Sequence, residues 1–188
     1  DTGNYFNIIV KSNLNDNKTY SIDLKIKNFI KILSLDNLDS FSFHSFTSLI
    51  KNEKVFENLI QLKDQGFIKN IGVSIYDNIE FERVINYDDI DIIQIPFNLL
   101  DNYSKRGPLI ELAKIKGKLI HARSTFLQGL FYMDYMKLSK YFRPIVPFLK
   151  EIKNICRVYG LSTNELAIGY VNSFDNIDGI IIGIDKKQ

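Results

Sequence analysis

Short runs of β-branched and aromatic residues alternate with longer stretches of helical period along almost the whole chain. Residues 6–11, Phe-Asn-Ile-Ile-Val-Lys, read as a buried strand. After a polar loop, Ser21 is placed to cap a helix whose apolar residues fall at Ile22, Ile26, Phe29, Ile30 and Leu33. An alternating strand over 38–43 delivers His44 at its C-terminal end. Val55, Phe56, Leu59 and Ile60 then mark one helix face, with Gly66 in the place of a C′ residue. A strand over 71–74 precedes Asp77, a cap for a helix bearing Ile79, Phe81, Val84 and Ile85. The β-branched run 90–95 is expected to end at Pro96. Pro108 suits the first turn of a helix ending near Gly117, and residues 118–122 make a fifth strand. An irregular section with Gly129 leads to a helix over 146–159. Ser162-Thr-Asn-Glu165 has capping-box form and opens one more helix before a last strand over 179–183.

Six strands in strict alternation with helices, short and rich in Ile and Val, predict a parallel sheet covered on both faces. No Gly-rich fingerprint follows the first strand and no GxxxxGK occurs, so neither a Rossmann phosphate loop nor a P-loop is supported. The expected class is α/β, a (β/α)8 TIM barrel of which about six β/α units are present. Residues 1–188 would form a single barrel domain lacking its N-terminal strands and a C-terminal segment.

Composition narrows the function. The 188 residues are 45% hydrophobic, enough for a sizeable core, and 24 basic against 22 acidic residues leave a net charge of +2. That charge is too small and too dispersed to predict nucleic acid or a membrane as partner. Cys156 stands alone, without metal-ligand spacing, so neither a disulfide framework nor a metal site is expected, and the cytoplasm is the expected compartment.

The polar residues at strand C-termini are Lys11, His44, Ser74, Gln94 and Arg123 with Ser124, and a barrel would gather them at one mouth. Each has a plainer reading by itself: Lys11 as a solvated lysine, Gln94 as a partner for loop backbone, Arg123 as half of a surface ion pair. His44, between Phe43 and Phe46, has the plainer reading of a core histidine. His121, inside a strand rather than past one, reads as structural.

These positions also carry a family resemblance that covers nearly the whole chain. Residues 23–44 resemble the helix-then-strand block ending in LDxxxxH of the aldo-keto reductases. Residues 62–74, LKDQGFIKNIGVS, resemble LxxxGxIRxIGVS, and residues 93–98, IQIPFN, resemble VQxxYN. Residues 123–130, RSTFLQGL, are similar to YSPLxxGxL, and residues 180–183, IIIG, to the xIIPG that precedes the cofactor-phosphate loop. The wording HARSTFLQGLF, GVSIYD and QIPFNLLD resembles a bacterial branch often associated with surface-polysaccharide biosynthesis.

The resemblance implies hydride transfer between NADP(H), with NAD possible, and a small-molecule carbonyl: an aldehyde, ketone or keto-sugar. A tyrosine would give the proton. A free phenol titrates near pH ~10, so that donor needs a neighbouring cation. The resemblance makes Lys11 that cation, Asp1 its carboxylate partner, and His44 a donor to the carbonyl oxygen where negative charge develops. Ser74 and Gln94 match residues that hold the nicotinamide carboxamide. Arg123 stands where an aromatic commonly stacks on the ring, Ser124 and Phe126 match positions along the pyrophosphate, and Gly183 leads toward the phosphate grip, where Lys186 and Lys187 follow. Two departures stand out: Ile75 replaces an Asn, and Asp1 lies closer to Lys11 than the family pattern, with Tyr5 at the wrong spacing to be the proton donor. Either a segment is absent between Thr2 and Gly3 or the protein is truncated. The alternative to an enzyme is a non-catalytic member that binds cofactor in a regulatory or scaffolding role.

Overall fold

The computed structural model describes residues 7–12 and 22–183. The chain divides into two compact units, Asp1–Gln94 with Leu112–Leu119, and Ile95–Glu111 with Ile120–Gln188.

The first unit runs β1 (Ile9–Ser12), α1 (Ile22–Leu33), β2 (Leu38–Phe43), α2 (Phe46–Lys51), α3 (Glu53–Asp64), β3 (Ile68–Ser74), α4 (Asn78–Val84) and most of β4 (Ile92–Pro96). Its strands pair in parallel and in chain order, β1 with β2, β2 with β3 and β3 with β4. This succession has no reversal of the kind that creates the switch point of a doubly wound sheet. It is the arrangement expected of part of a (β/α)8 barrel.

Register sorts the side chains into two faces, because successive residues of a strand point to opposite sides. Phe41 pairs with Ile71, and Phe43 with Val73, which pairs with Ile93. All five are buried, and Phe43 packs edge-on against Phe56 of α3 at 6.1 Å between ring centroids. The other face carries the polar groups, with Ile92 among them. Lys11 pairs with Ser42, Ser42 with Gly72, and one step further along the strands Ser74 pairs with Gln94. Gly72 is required by close approach, since a Cβ there would sit 2.4 Å from Ser42 Oγ.

The second unit holds the start of α5 (Tyr103–Ile115), most of β5 (Leu119–Arg123), α6 (Val146–Tyr159), α7 (Thr163–Asn172) and β6 (Gly179–Ile180), with β5 and β6 paired in parallel. Leu130, Phe131, Leu149, Ile152 and Ala167 form its apolar centre. Tyr103 stacks on Phe174 at 5.0 Å and anchors the first turn of α5 to the end of α7.

The local stop and start signals act as the sequence predicts. Asp77 accepts from Glu80 N at 2.8 Å, Gly66 and Gly117 take φ of 79° and 74° after α3 and α5, and Ser162 with Glu165 forms the full capping box. Four expectations change. β4 ends at Pro96 as expected but starts at Ile92, two residues after its β-branched run begins. Pro108 lies inside α5, which begins at Tyr103, so it does not occupy the first turn. The last strand is only Gly179–Ile180, and β3 starts at Ile68, earlier than its β-branched run suggests. Phe6 and Ser21 lie outside the described residues.

The Gly72 notch gives a stability test. Gly72→Ala should destabilise by about 1–3 kcal/mol through overpacking against Ser42. Combining it with Ser42→Ala should recover most of the loss, because Ser42 Oγ is buried and has no hydrogen-bond partner among the described residues. Urea denaturation of the two single variants and the double variant measures the coupling; additive losses would mean that the two positions do not touch.

Candidate active site

In the first unit, Ser74 ends β3 and stands in direct parallel register with Gln94, the middle residue of β4, which brings Ser74 Oγ to 3.1 Å from Gln94 Oε1, with the hydroxyl donating. Lys11 comes from β1, two strands away from Ser74, and neighbouring strands lie about 4.8 Å apart. The small residues of its own row, Ser42 and Gly72, leave the polar face low along that path. Its ammonium reaches across to donate to Ser74 Oγ at 2.5 Å and to Gln94 Oε1 at 3.1 Å. Three polar groups separated by 63 and 83 residues of chain thus form a closed triangle. Ser74 is 0% and Gln94 2% exposed, whereas Lys11 is exposed.

His44 follows the last residue of β2 and is exposed, so its imidazole is open to a ligand. His121 is half-buried, with its ring against Gly179, where a Cβ would lie 3.1 Å from it. That packing suits the structural reading. Asp1, Tyr5, Lys186 and Lys187 lie outside the described residues.

In the second unit, Arg123 ends β5, and Ser124 turns the chain with φ of 60°. Leu127, Gln128 and Gly129 also have left-handed backbone, at 46°, 53° and 84°, a conformation that costs a non-glycine residue about 1–2 kcal/mol. Such strain persists only where the surroundings enforce it. Here, Ser124 O accepts from Leu127 N at 2.8 Å and from Asn98 Nδ2 at 3.2 Å, and Phe97 N donates to Arg123 O at 3.1 Å. Asn98, fully buried, is the organiser: its Oδ1 also accepts from Leu100 N and Asp101 N at 2.9 and 3.0 Å. Ser124 and Phe126 are half-buried, and Gly183 is exposed beyond β6.

The loop after β4 is pinned in turn by Asp101, whose carboxylate accepts from Nε and Nη2 of Arg106 at 2.8 Å each while Arg106 is 0% exposed. Sequence reasoning gave Asn98, Asp101 and Arg106 no role. The spacing of Asp101 and Arg106 is the signal that was available, but their bidentate geometry arises only once α5 begins at Tyr103. Burial works to raise the Asp101 pKa, yet the hydrogen bond and charge of Arg106, with Lys105 adding to them, outweigh it and hold the carboxyl below its ordinary 3.8.

Among the described residues, no group of three or more His, Cys, Asp or Glu side chains is disposed to hold a metal ion, and no helix is long and apolar enough to cross a membrane.

Comparison with known proteins agrees with this architecture. The family model described as Aldo/keto reductase family matches residues 7–188. The chain is similar to the NADH-specific methylglyoxal reductase of Escherichia coli (strain K12), 23% identical over 188 residues, covering 89% of this chain and 56% of that protein. Among solved structures, it is similar to the aldo-keto reductase AKR11C1 from Bacillus halodurans in its holo form, with a TM-score of 0.72 at 19% identity over 95% of this chain and 61% of that one. It is also similar to the glycerol dehydrogenase AKR11B4 from Gluconobacter oxydans, with a TM-score of 0.63 at 15% identity over 85% and 53% of the two chains. The chain therefore spans little more than half the length of these relatives, and its fold is that of part of a (β/α)8 barrel.

The buried ion pair sets a pH dependence. Asp101→Asn should destabilise by about 1.5–3 kcal/mol at neutral pH, because the buried Arg106 guanidinium loses its bidentate carboxylate. With the folded pKa depressed, the stabilisation from Asp101 is complete above the ordinary carboxylate value and is lost as pH falls through the folded one. The wild-type advantage should therefore shrink below about pH 4. Denaturation of both proteins across that range checks it.

Proposed function

The chain belongs to the aldo/keto reductase family, and from that premise we propose that it carries the cofactor-facing part of a cytoplasmic nicotinamide-dependent oxidoreductase that reduces a small aldehyde, ketone or keto-sugar to the alcohol. The observation that carries this reading is the Ser74–Gln94 pair with Lys11 laid on it. A carboxamide presents one acceptor and two donors on a planar group, and a serine hydroxyl beside a glutamine amide is complementary to it. The residues present therefore fit the nicotinamide head of a dinucleotide.

Ser74 and Gln94 hold that head, and by the same resemblance Arg123, Ser124, Phe126 and Gly183 serve the cofactor in the second unit. When bound, the reduced dinucleotide supplies the hydride. The exposed imidazole of His44 donates to the carbonyl oxygen and orients the substrate, and this stabilises the charge that grows there. Lys11 provides the cation that brings a phenolic proton donor toward neutral pH, with Asp1 as its carboxylate partner. No tyrosine is assigned to that role within the described residues. The resemblance favours NADPH, whereas the Escherichia coli relative is named as NADH-specific, so both dinucleotides belong in the test.

Titration of the intact protein with NADPH and with NADH should show binding of at least one, and binding of neither would overturn the proposal. Ser74→Ala should weaken that binding about tenfold, the loss of one good hydrogen bond to a buried group. His44→Ala should lower kcat by about 10²-fold or more with little change in dinucleotide affinity. Steady-state kinetics with small carbonyls, methylglyoxal among them, separates the two effects; parallel losses would remove His44 from its role.

A further inference from the structure

We propose that Lys11 is a displaceable plug on the carboxamide pocket: its ammonium and the nicotinamide carboxamide compete for Ser74 and Gln94, so that cofactor entry is what frees Lys11 to act at the reacting centre. The inference rests on the cofactor site proposed above and adds a coupling between the two roles of that site.

The hydrogen bonds carry the argument. Gln94 Oε1 accepts from Lys11 Nζ at 3.1 Å and from Ser74 Oγ at 3.1 Å, which fills both lone pairs of that oxygen. Ser74 Oγ spends its one proton on Gln94 and accepts from Lys11 at 2.5 Å. An incoming carboxamide NH2 therefore finds the glutamine oxygen saturated. Burial points the same way. The two groups that a carboxamide must touch are 0% and 2% exposed, while the lysine lying on them is exposed, so the ammonium has an outward route and the pair beneath it has none until it moves. Bonds to a charged donor are the stronger kind, so the plug holds while the pocket is empty. A flexible four-carbon stem anchored on β1 lets the head swing away without moving a strand.

Competition of this kind lowers the apparent affinity for the dinucleotide by the fraction of molecules whose pocket is open. Removing the ammonium should therefore tighten binding, whereas a lysine that merely lined the site would weaken it on removal. The test is calorimetry of the intact protein and of Lys11→Met, which keeps the apolar stem, with NADPH, NADH and ADP-ribose; the last lacks the nicotinamide. Lys11→Met should bind the dinucleotide about tenfold more tightly and ADP-ribose with unchanged affinity. Equal or weaker dinucleotide binding by the variant overturns the plug. Failure of wild type and variant alike to bind any of the three overturns the cofactor site itself. Should Lys11→Met not fold, amine acetylation of the wild type read by mass spectrometry decides: Lys11 should be modified faster with saturating dinucleotide than with ADP-ribose, and equal or slower modification overturns the proposal.

Discussion

Parallel register is the constraint from which the first unit's chemistry follows. Once Phe43 is set beside Val73 and Val73 beside Ile93, every second residue of those strands is committed to the apolar, helix-packed face, and the residues between them to the other face. Ser74 must then stand beside Gln94, and Lys11 must share a row with Ser42 and Gly72 one step behind them. A slip of one residue would send Ser74 and Gln94 into the helix layer and put Val73 or Ile75 and Ile93 or Ile95 in their place. Burial of the aromatic face thus fixes the polar triangle as firmly as its own hydrogen bonds do.

The polar face uses its small residues for a purpose. A lysine on β1 meets groups on β3 and β4 only if the side chains along its path are short, and Ser42 and Gly72 are. The fit is tight enough that Ser42 Oγ lies where a methyl group on residue 72 would intrude. The second unit solves a different problem, that of holding left-handed backbone at Ser124, Leu127 and Gln128. Asn98 takes the Ser124 carbonyl with one end of its amide and the turn at Leu100 and Asp101 with the other. The buried Asp101–Arg106 pair then locks that turn to α5. Strain in one loop is balanced by a bracket built in another.

Membership of the aldo/keto reductase family supplies the reaction class, and the geometry adds to it a direct link between the lysine and the amide pair. Lys11, proposed as the cation that tunes a proton donor, and Ser74 with Gln94, proposed to grip the cofactor, share hydrogen bonds, so on that proposal occupancy of one position bears on the state of the other.

The sequence by itself determined what local physics controls: the alternation of strands and helices, the caps at Asp77 and Ser162, the glycine stops at Gly66 and Gly117, and the placing of His44, Ser74 and Arg123 at strand ends, whereas Lys11 and Gln94 lie inside β1 and β4. Each depends on dihedral preference or periodicity within a few residues. It misjudged Pro108 because nothing local shows that Tyr103, stacked on Phe174, starts the helix earlier. It missed Asn98, Asp101 and Arg106, since their importance lies in the Ser124 carbonyl and in a burial that packing alone confers. The meeting of Lys11 with Ser74 and Gln94 across 63 and 83 residues was likewise decided only in three dimensions. Composition and spacing can place a side chain at the end of a strand. Which neighbour it finds there depends on interstrand register, a long-range consequence of burying the opposite face.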